Sequence, residues 1–166
     1  MDRYTTLDNQ KIALLVQLDI AKAYDTVNPK ILLQKVINEI NPDAVLKQML
    51  RNYLFERQVA TFANGILSRF GTVEIGIPQG GVLPPLLFAY YLSGLQFLDL
   101  YGKLVMYADD AQLLYSLTPN QFNTIQEYIK DDLRKVEDFF TTLQMKLQGC
   151  EEVFQTKTTI AKFGTL

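Results

Sequence analysis

The sequence predicts an α+β fold, an antiparallel sheet with helices packed on one face. Three observations lead there. Ile12 to Ile20 is a near-continuous apolar run interrupted only by Gln17 and Asp19, as in a buried central strand. Asn64-Gly65 between two β-type stretches is a strong hairpin signal. Helical patterns and strands then follow one another without the strict strand–helix–strand alternation that a parallel sheet requires.

The elements follow in order. Asn28-Pro29 supplies a cap and a first-turn proline for a helix running to about Ile40. Asn41-Pro42 repeats that start signal, and a second helix reaches about Glu56 with Val45, Leu46, Met49, Leu50 and Tyr53 as its apolar face. Gln58 to Ala63 reads as a strand that returns over Thr72 to Ile77. Pro78-Gln79-Gly80-Gly81 breaks the chain before a helix from about Pro84 to Leu98, whose prolines fall in the first turn, where a missing N–H does no harm. Lys103 to Tyr107 and Ala111 to Ser116 are strands flanking Ala108-Asp109-Asp110. Thr118-Pro119 opens a long amphipathic helix with Phe122, Ile125, Ile129, Val136, Phe140 and Leu143 in one stripe. Thr158 to Phe163 reads as a last strand.

Composition narrows the chemistry. The 166 residues suit one domain, taken as residues 1–166, and the 48% apolar and 20% charged content is that of a folded protein. One cysteine, Cys150, excludes an intrachain disulfide and Cys-based zinc sites; with no histidine, nearly every other zinc arrangement and Ser-His-Asp triads are excluded as well. Any metal must be held by oxygen, which points to magnesium, with manganese as the alternative. The cysteine-poor composition and polar N-terminus, without a signal peptide, place the chain inside the cell, in cytoplasm or nucleus. Val82 to Leu98 carries no charge but contains Pro84, Pro85, Ser93, Gly94 and Gln96, so it reads as a buried helix and no membrane partner is expected. A net charge of -2 lacks the basic excess of a free-standing nucleic-acid binder. The sequence carries no signal of oligomeric state.

Carboxylates are the candidate chemistry. Asp109 and Asp110 are adjacent between two apolar strands, and neighbouring anions repel most where water is excluded. Asp19 sits near the end of another apolar strand. If those strands are neighbours, three carboxylates converge into the kind of oxygen cluster that holds two magnesium ions about 3.5–4 Å apart. An Asp-Asp pair also occurs simply because aspartate favours turns.

Three motifs, in order, carry a family resemblance. Asp19-Ile20-Ala21-Lys22-Ala23-Tyr24-Asp25-Thr26-Val27, Gly76-Ile77-Pro78-Gln79-Gly80-Gly81-Val82-Leu83-Pro84-Pro85-Leu86-Leu87-Phe88 and Tyr107-Ala108-Asp109-Asp110 resemble motifs A, B and C of reverse transcriptases. Asn64-Gly65-Ile66-Leu67-Ser68 is typical of the non-LTR, LINE-like retrotransposon branch, and the resemblance extends from about Leu14 to Phe163. It implies a polymerase palm in which Asp19 and Asp109 are metal ligands and Asp110 is the third catalytic carboxylate. It makes Tyr24 a steric gate against the ribose 2′ position, with a core tyrosine as the plainer role. It puts Gln79 and Gly80 along the nucleotide and template pocket and Ala108 at the primer end. Lys157, before Thr158, resembles a lysine that donates a proton to pyrophosphate, and an exposed strand lysine is the plainer role.

The implied activity is RNA-directed DNA synthesis from deoxynucleoside triphosphates on an RNA template and a DNA primer. The pattern departs at Gly81, Pro84 and Phe154, and against it Gln148 to Gln155 looks like an insertion or a divergent loop. Only eighteen residues precede Asp19, so the resemblance expects incomplete fingers and no thumb, which accounts for the missing basic surface. The alternatives are a non-catalytic binding or scaffold module of the same fold and a truncated, inactive fragment.

Overall fold

Strand β1 (Ile12–Ile20) is flanked on both sides, in a five-stranded antiparallel sheet of order β6-β7-β1-β8-β9. The other strands are β6 (Lys103–Tyr107), β7 (Asp110–Leu117), β8 (Leu147–Gln155) and β9 (Ile160–Phe163), with β1 paired directly to β7 and β8. The structure is a computed structural model that describes residues 12–118, 122–155 and 160–163. It falls into two compact units, residues 1–21 with 93–166 and residues 22–92. The α+β class and the antiparallel sheet expected from sequence are both present.

In the first unit, β1 is central as expected, buried along one face and exposed toward the end of the other. Leu14, Val16 and Leu18 are buried, while Gln17 and Asp19 are exposed. A strand with helices on one side keeps its other face wet, so the alternation of an antiparallel sheet replaces burial on both faces. Strand β8 corrects the expected loop over Gln148–Gln155: it pairs with β1 from Ala13↔Gln155 to Ile20↔Leu147, with a register shift between Asp19 and Ile20. Gly149, Glu151 and Glu152 spoil its apolar alternation, and backbone pairing to β1 makes it a strand regardless. The last strand is found as β9; Thr158 and Pro119, the latter half of the expected helix start, lie outside the described residues.

The long helix spans Phe122–Thr142 and is α5 in chain order. Ile125, Ile129, Val136 and Phe140, with Leu143 just beyond it, are buried as expected. The hydroxyl of Tyr115, on the core face of β7, donates to Asp132 of this helix at 2.9 Å, which fixes the helix on that face of the sheet. Ser93–Phe97 is a 3₁₀ turn rather than the tail of a helix reaching Leu98. Ser93 and Gly94 are weak helix formers, and a side chain on Gly94 would stand 2.8 Å from the Phe139 ring.

The second unit opens with a short helical turn, α1 (Ala23–Thr26), then α2 (Pro29–Ile40), α3 (Ala44–Leu54) and, after a β-ribbon, α4 (Leu83–Tyr91). The Asn28 carboxamide caps α2 by accepting from the amides of Lys30 (2.9 Å) and Ile31 (3.4 Å). Asn41 ends α2 in a left-handed conformation (φ 47) instead of starting α3; Asp43 caps α3, accepting from the Leu46 amide at 2.8 Å. The buried face of α3 is Leu50 with Leu54, whereas Val45, Leu46 and Met49 are exposed, against the expected apolar face. The ribbon pairs β2 (Arg57–Val59) with β5 (Gly71–Val73) and β3 (Phe62–Ala63) with β4 (Ile66–Leu67) around Asn64-Gly65, both at positive φ. Its return therefore begins at Ile66, ahead of the expected Thr72. Among the described residues no helix is long and apolar enough to cross a membrane.

Between α2 and α4, Tyr90 donates its hydroxyl to Glu39 at 2.8 Å, and the Lys35 ammonium lies 5.2 Å from the Tyr90 ring centre. Loss of hydration, then the hydrogen bond and charge of Glu39, push the Tyr90 phenol up to about 12 from 10.0. A raised folded pKa means that the neutral phenol contributes stability in full below pH 10.0 and that this is lost as pH climbs through about 12. Ultraviolet titration is expected to show Tyr90 ionising near pH 12, beside a Tyr91 that burial also raises, and Glu39→Gln should bring the Tyr90 step down. Ordinary titration of every tyrosine in the folded chain would refute this.

Candidate active site

The last pair of the β1–β7 ladder is Leu18↔Ala111, with both side chains buried. The next positions outward are Asp19 on β1 and Asp110 on β7. Register puts them on the opposite, exposed face, side by side at one end of the sheet. Tyr107↔Asp110 closes the β6–β7 hairpin, leaving Ala108-Asp109 as its two-residue turn. Ala108 takes a positive φ of 53, the conformation demanded at the first central position of a turn matched to strand twist. For a residue with a Cβ this costs about 1 kcal/mol or more, so an alanine there is strain held by the surrounding hairpin. Asp19, Ala108, Asp109 and Asp110 are all exposed. Among the described residues, no three aspartate, glutamate, histidine or cysteine side chains stand close enough together to hold a metal ion. The strand register supplies the adjacency of Asp19 and Asp110; the side chains are not gathered.

Within the second unit, the segment after Asp19 is tied to the Gly76–Gly80 segment. The Ile77 amide donates to Tyr24 O at 3.0 Å, and the Gly76 amide to Val27 O at 2.8 Å. Gly76 is forced at this crossing: its φ is 84, and a Cβ would lie 2.9 Å from Asp25 O. Arg57 clamps the junction, its guanidinium donating to Gly76 O (2.6 Å), Ile75 O (3.1 Å) and Leu54 O (3.1 Å). Gln79 then reaches back, its amide Nε2 donating to Asp25 Oδ1 at 2.9 Å. Gly80 has φ 88 with open space where a Cβ would sit, so its need is backbone conformation and not room. The Tyr24 ring stacks on Phe88 of α4, centroids 4.6 Å apart and planes 25° from parallel.

The eight residues singled out from sequence thus fall into two sets and one remainder. Asp19, Ala108, Asp109 and Asp110 share one end of the sheet. Tyr24, Gln79 and Gly80 belong to the second unit. Lys157 lies outside the described residues. Sequence reasoning missed Asp25 as the partner of Gln79, although it stands within the motif. It also missed Arg57, for which the sequence holds no signal, and Asp132. An acid three residues after Ile129 and four before Val136, on the apolar stripe of a helix, was a legible anomaly.

A family model described as "Reverse transcriptase (RNA-dependent DNA polymerase)" matches residues 2–159. The chain belongs to the reverse transcriptase family. Its curated relatives place it in the non-LTR, LINE-like branch. It is 36% identical over 115 residues to the "Probable RNA-directed DNA polymerase from transposon X-element" of Drosophila melanogaster, a match covering 67% of this chain and 12% of that protein. It is 28% identical over 143 residues to the corresponding transposon BS polymerase of the same species, covering 82% and 15%. To the "RNA-directed DNA polymerase from mobile element jockey" of Drosophila funebris it is 28% identical over 132 residues, covering 74% and 14%. This reverse transcriptase chain therefore spans about an eighth to a seventh of the relatives it matches. A solved structure of apo telomerase from Candida tropicalis, truncated from its C-terminal domain, has the same fold, with TM-score 0.62, 15% identity, 99% of this chain and 36% of that one. Reverse transcriptases are nucleotidyltransferases that use divalent metal ions and act on a nucleic-acid template and primer.

Proposed function

We propose that this chain carries the catalytic palm of an RNA-directed DNA polymerase, residues 1–166 forming that one domain, which joins a deoxynucleoside triphosphate to a DNA primer on an RNA template. The observation supporting this is that Asp19 and Asp110 each stand one position beyond Leu18↔Ala111, the last pair of the β1–β7 ladder, with Asp109 in the adjoining two-residue turn, all exposed at one end of the sheet. Carboxylate oxygens without histidine or cysteine are the donor set of a hard cation, so Asp19, Asp109 and Asp110 would hold Mg2+, or Mn2+ in its place. A divalent ion held there would supply the Lewis acidity that favours the primer 3′-alkoxide and the positive charge that offsets the leaving pyrophosphate.

The protein's own residues position the substrates. Stacking on Phe88 leaves Tyr24 a fixed ring, suited to crowd a ribose 2′-hydroxyl. The Gln79 Nε2 donates to Asp25, which leaves the Gln79 carbonyl oxygen as an acceptor for the nucleotide or template. Backbone at Gly80 and Ala108 lines the nucleotide pocket and the primer end, and Lys157 is the proton donor to pyrophosphate. An intracellular location, in cytoplasm or nucleus, completes the reading.

The test is primer extension on an RNA template with Mg2+. It is measured for this chain and for a chimera in which the segment replaces its counterpart in the jockey polymerase. Mg2+-dependent product from the chimera is expected; a chimera that folds, binds template and yields none ends the catalytic reading. In an active chimera, Tyr24→Ala is expected to raise ribonucleotide use relative to deoxynucleotide by about 10- to 100-fold, the worth of a lost steric contact of about 1–3 kcal/mol. Unchanged sugar selectivity would return Tyr24 to a plain packing role.

A further inference from the structure

We infer that Asp132, at the middle of α5, is a positioning residue for the hairpin that bears Asp109 and Asp110; this rests on the reading of that hairpin as the metal-holding turn. Asp132 is fully buried, at 0% exposure, between the buried Ile129 and Val136. Burying a carboxylate costs several kcal/mol unless donors replace its water, so its partners reveal what it holds. Oδ1 accepts from the Tyr101 amide at 3.0 Å, and Oδ2 accepts from the Gly102 amide at 2.8 Å and the Tyr115 hydroxyl at 2.9 Å. Tyr101 and Gly102 lead directly into β6, and Tyr115 lies on β7. One carboxylate therefore grips both strands of the hairpin from the core side.

Neighbouring groups complete the clamp. A Cβ at Gly102 would stand 2.6 Å from the Tyr115 ring, so only glycine lets that amide come so close. From the same helix face, Tyr128 stacks on Tyr101 at 4.3 Å, and Lys135 lies 5.3 Å from the Tyr101 ring while donating to Asp99 O at 2.6 Å. Helix residues 128, 132 and 135 thus hold the segment 99–102 that launches β6.

The consequence for the site follows from topology. β6 is the edge strand of the sheet and is held laterally by β7. Its register runs from Lys103↔Leu114 to Tyr107↔Asp110, so the clamp stands at one end of the hairpin and the acids at the other. Slippage by one residue would turn each β6 side chain to the opposite face and displace the Ala108-Asp109 turn. A carboxylate suits this task because all three donors need an acceptor. Asparagine has nearly the same shape but turns an N–H toward one of them.

The test uses Mn2+ alone as probe, followed by electron paramagnetic resonance of the free ion, on this chain and its variants, with amide hydrogen exchange read alongside. Asp132→Asn, with helix content intact, is expected to weaken Mn2+ binding by about tenfold, as for groups that orient metal ligands. Exchange is expected to rise in residues 103–117 more than elsewhere. If Asp132→Asn does not fold, Tyr115→Phe, which deletes one donor and no packing, is read in its place and should give a smaller shift in the same two measurements. A folded variant with wild-type Mn2+ affinity and hairpin exchange overturns the proposal. A wild-type chain that binds no Mn2+ overturns the active-site reading instead, and hairpin exchange in Asp132→Asn then still decides the clamp.

Discussion

Asp109→Asn in the jockey chimera is expected to lower primer extension by about a thousandfold while leaving stability nearly unchanged. The size comes from the share of transition-state stabilisation that a metal supplies, several kcal/mol, at about 1.4 kcal/mol per tenfold in rate. Stability should hold because Asp109 is exposed, in a two-residue turn whose strained position is Ala108, and asparagine is as good a turn residue as aspartate. Asp19→Asn should act alike, since that side chain is also exposed and, like Asp110, stands one position beyond the last β1–β7 pair. Single-turnover extension and denaturant unfolding on the same preparations decide the matter. Loss of rate with an unshifted unfolding midpoint is the expected pair. Retention of even a tenth of the rate by both variants would mean that these acids are ordinary surface charges.

Gly76→Ala is expected to be among the most destabilising small substitutions in the chain, at about 3–5 kcal/mol. Positive φ (84) costs an alanine about 1–2 kcal/mol. The added Cβ would also meet backbone that cannot swing aside, Asp25 O at 2.9 Å, Asp25 Cα at 3.0 Å and Tyr24 O at 3.1 Å. Relief requires opening the two amide bonds that tie residues 24–27 to 76–77, each worth about 0.5–1.5 kcal/mol net. It also requires loosening the Arg57 grip on Gly76 O. Gly80→Ala is the control: it shares the positive φ (88) but meets nothing within 4 Å, so only the conformational cost applies. Chemical denaturation should show a clearly larger shift for Gly76→Ala. Equal shifts would mean that the crowding at Asp25 is not felt, and that the two segments are not locked together there.

Local chemistry was the most legible part of the molecule. Asn28-Pro29 reads as a helix start because a side-chain acceptor and a missing N–H act within one turn, and the cap is there at 2.9 Å. Asn64-Gly65 likewise announces its own turn. Asn41-Pro42 misled because the same asparagine that caps a start also tolerates the left-handed end of the preceding helix, and only the neighbouring Asp43 shows which occurred. The apolar face of α3 misled for another reason: periodicity shows that a face exists, not which residues a neighbour covers.

The order of three motifs and the types of residue in them were enough to establish the family and to single out Asp19, Asp109 and Asp110, because turn chemistry and carboxylate donors are properties of short segments. What brings Asp19 beside Asp110 is the pairing of β1 with β7 across some ninety residues of chain, and such pairing depends on which strands find one another. The same holds for β8, whose letters favour a loop and whose pairing to β1 makes it a strand. It holds again for Asp132, since a buried charge becomes tolerable only when three donors from distant segments meet it. Tertiary structure decided these features because each depends on hydrogen-bond partners far apart in the chain, where no local preference reaches.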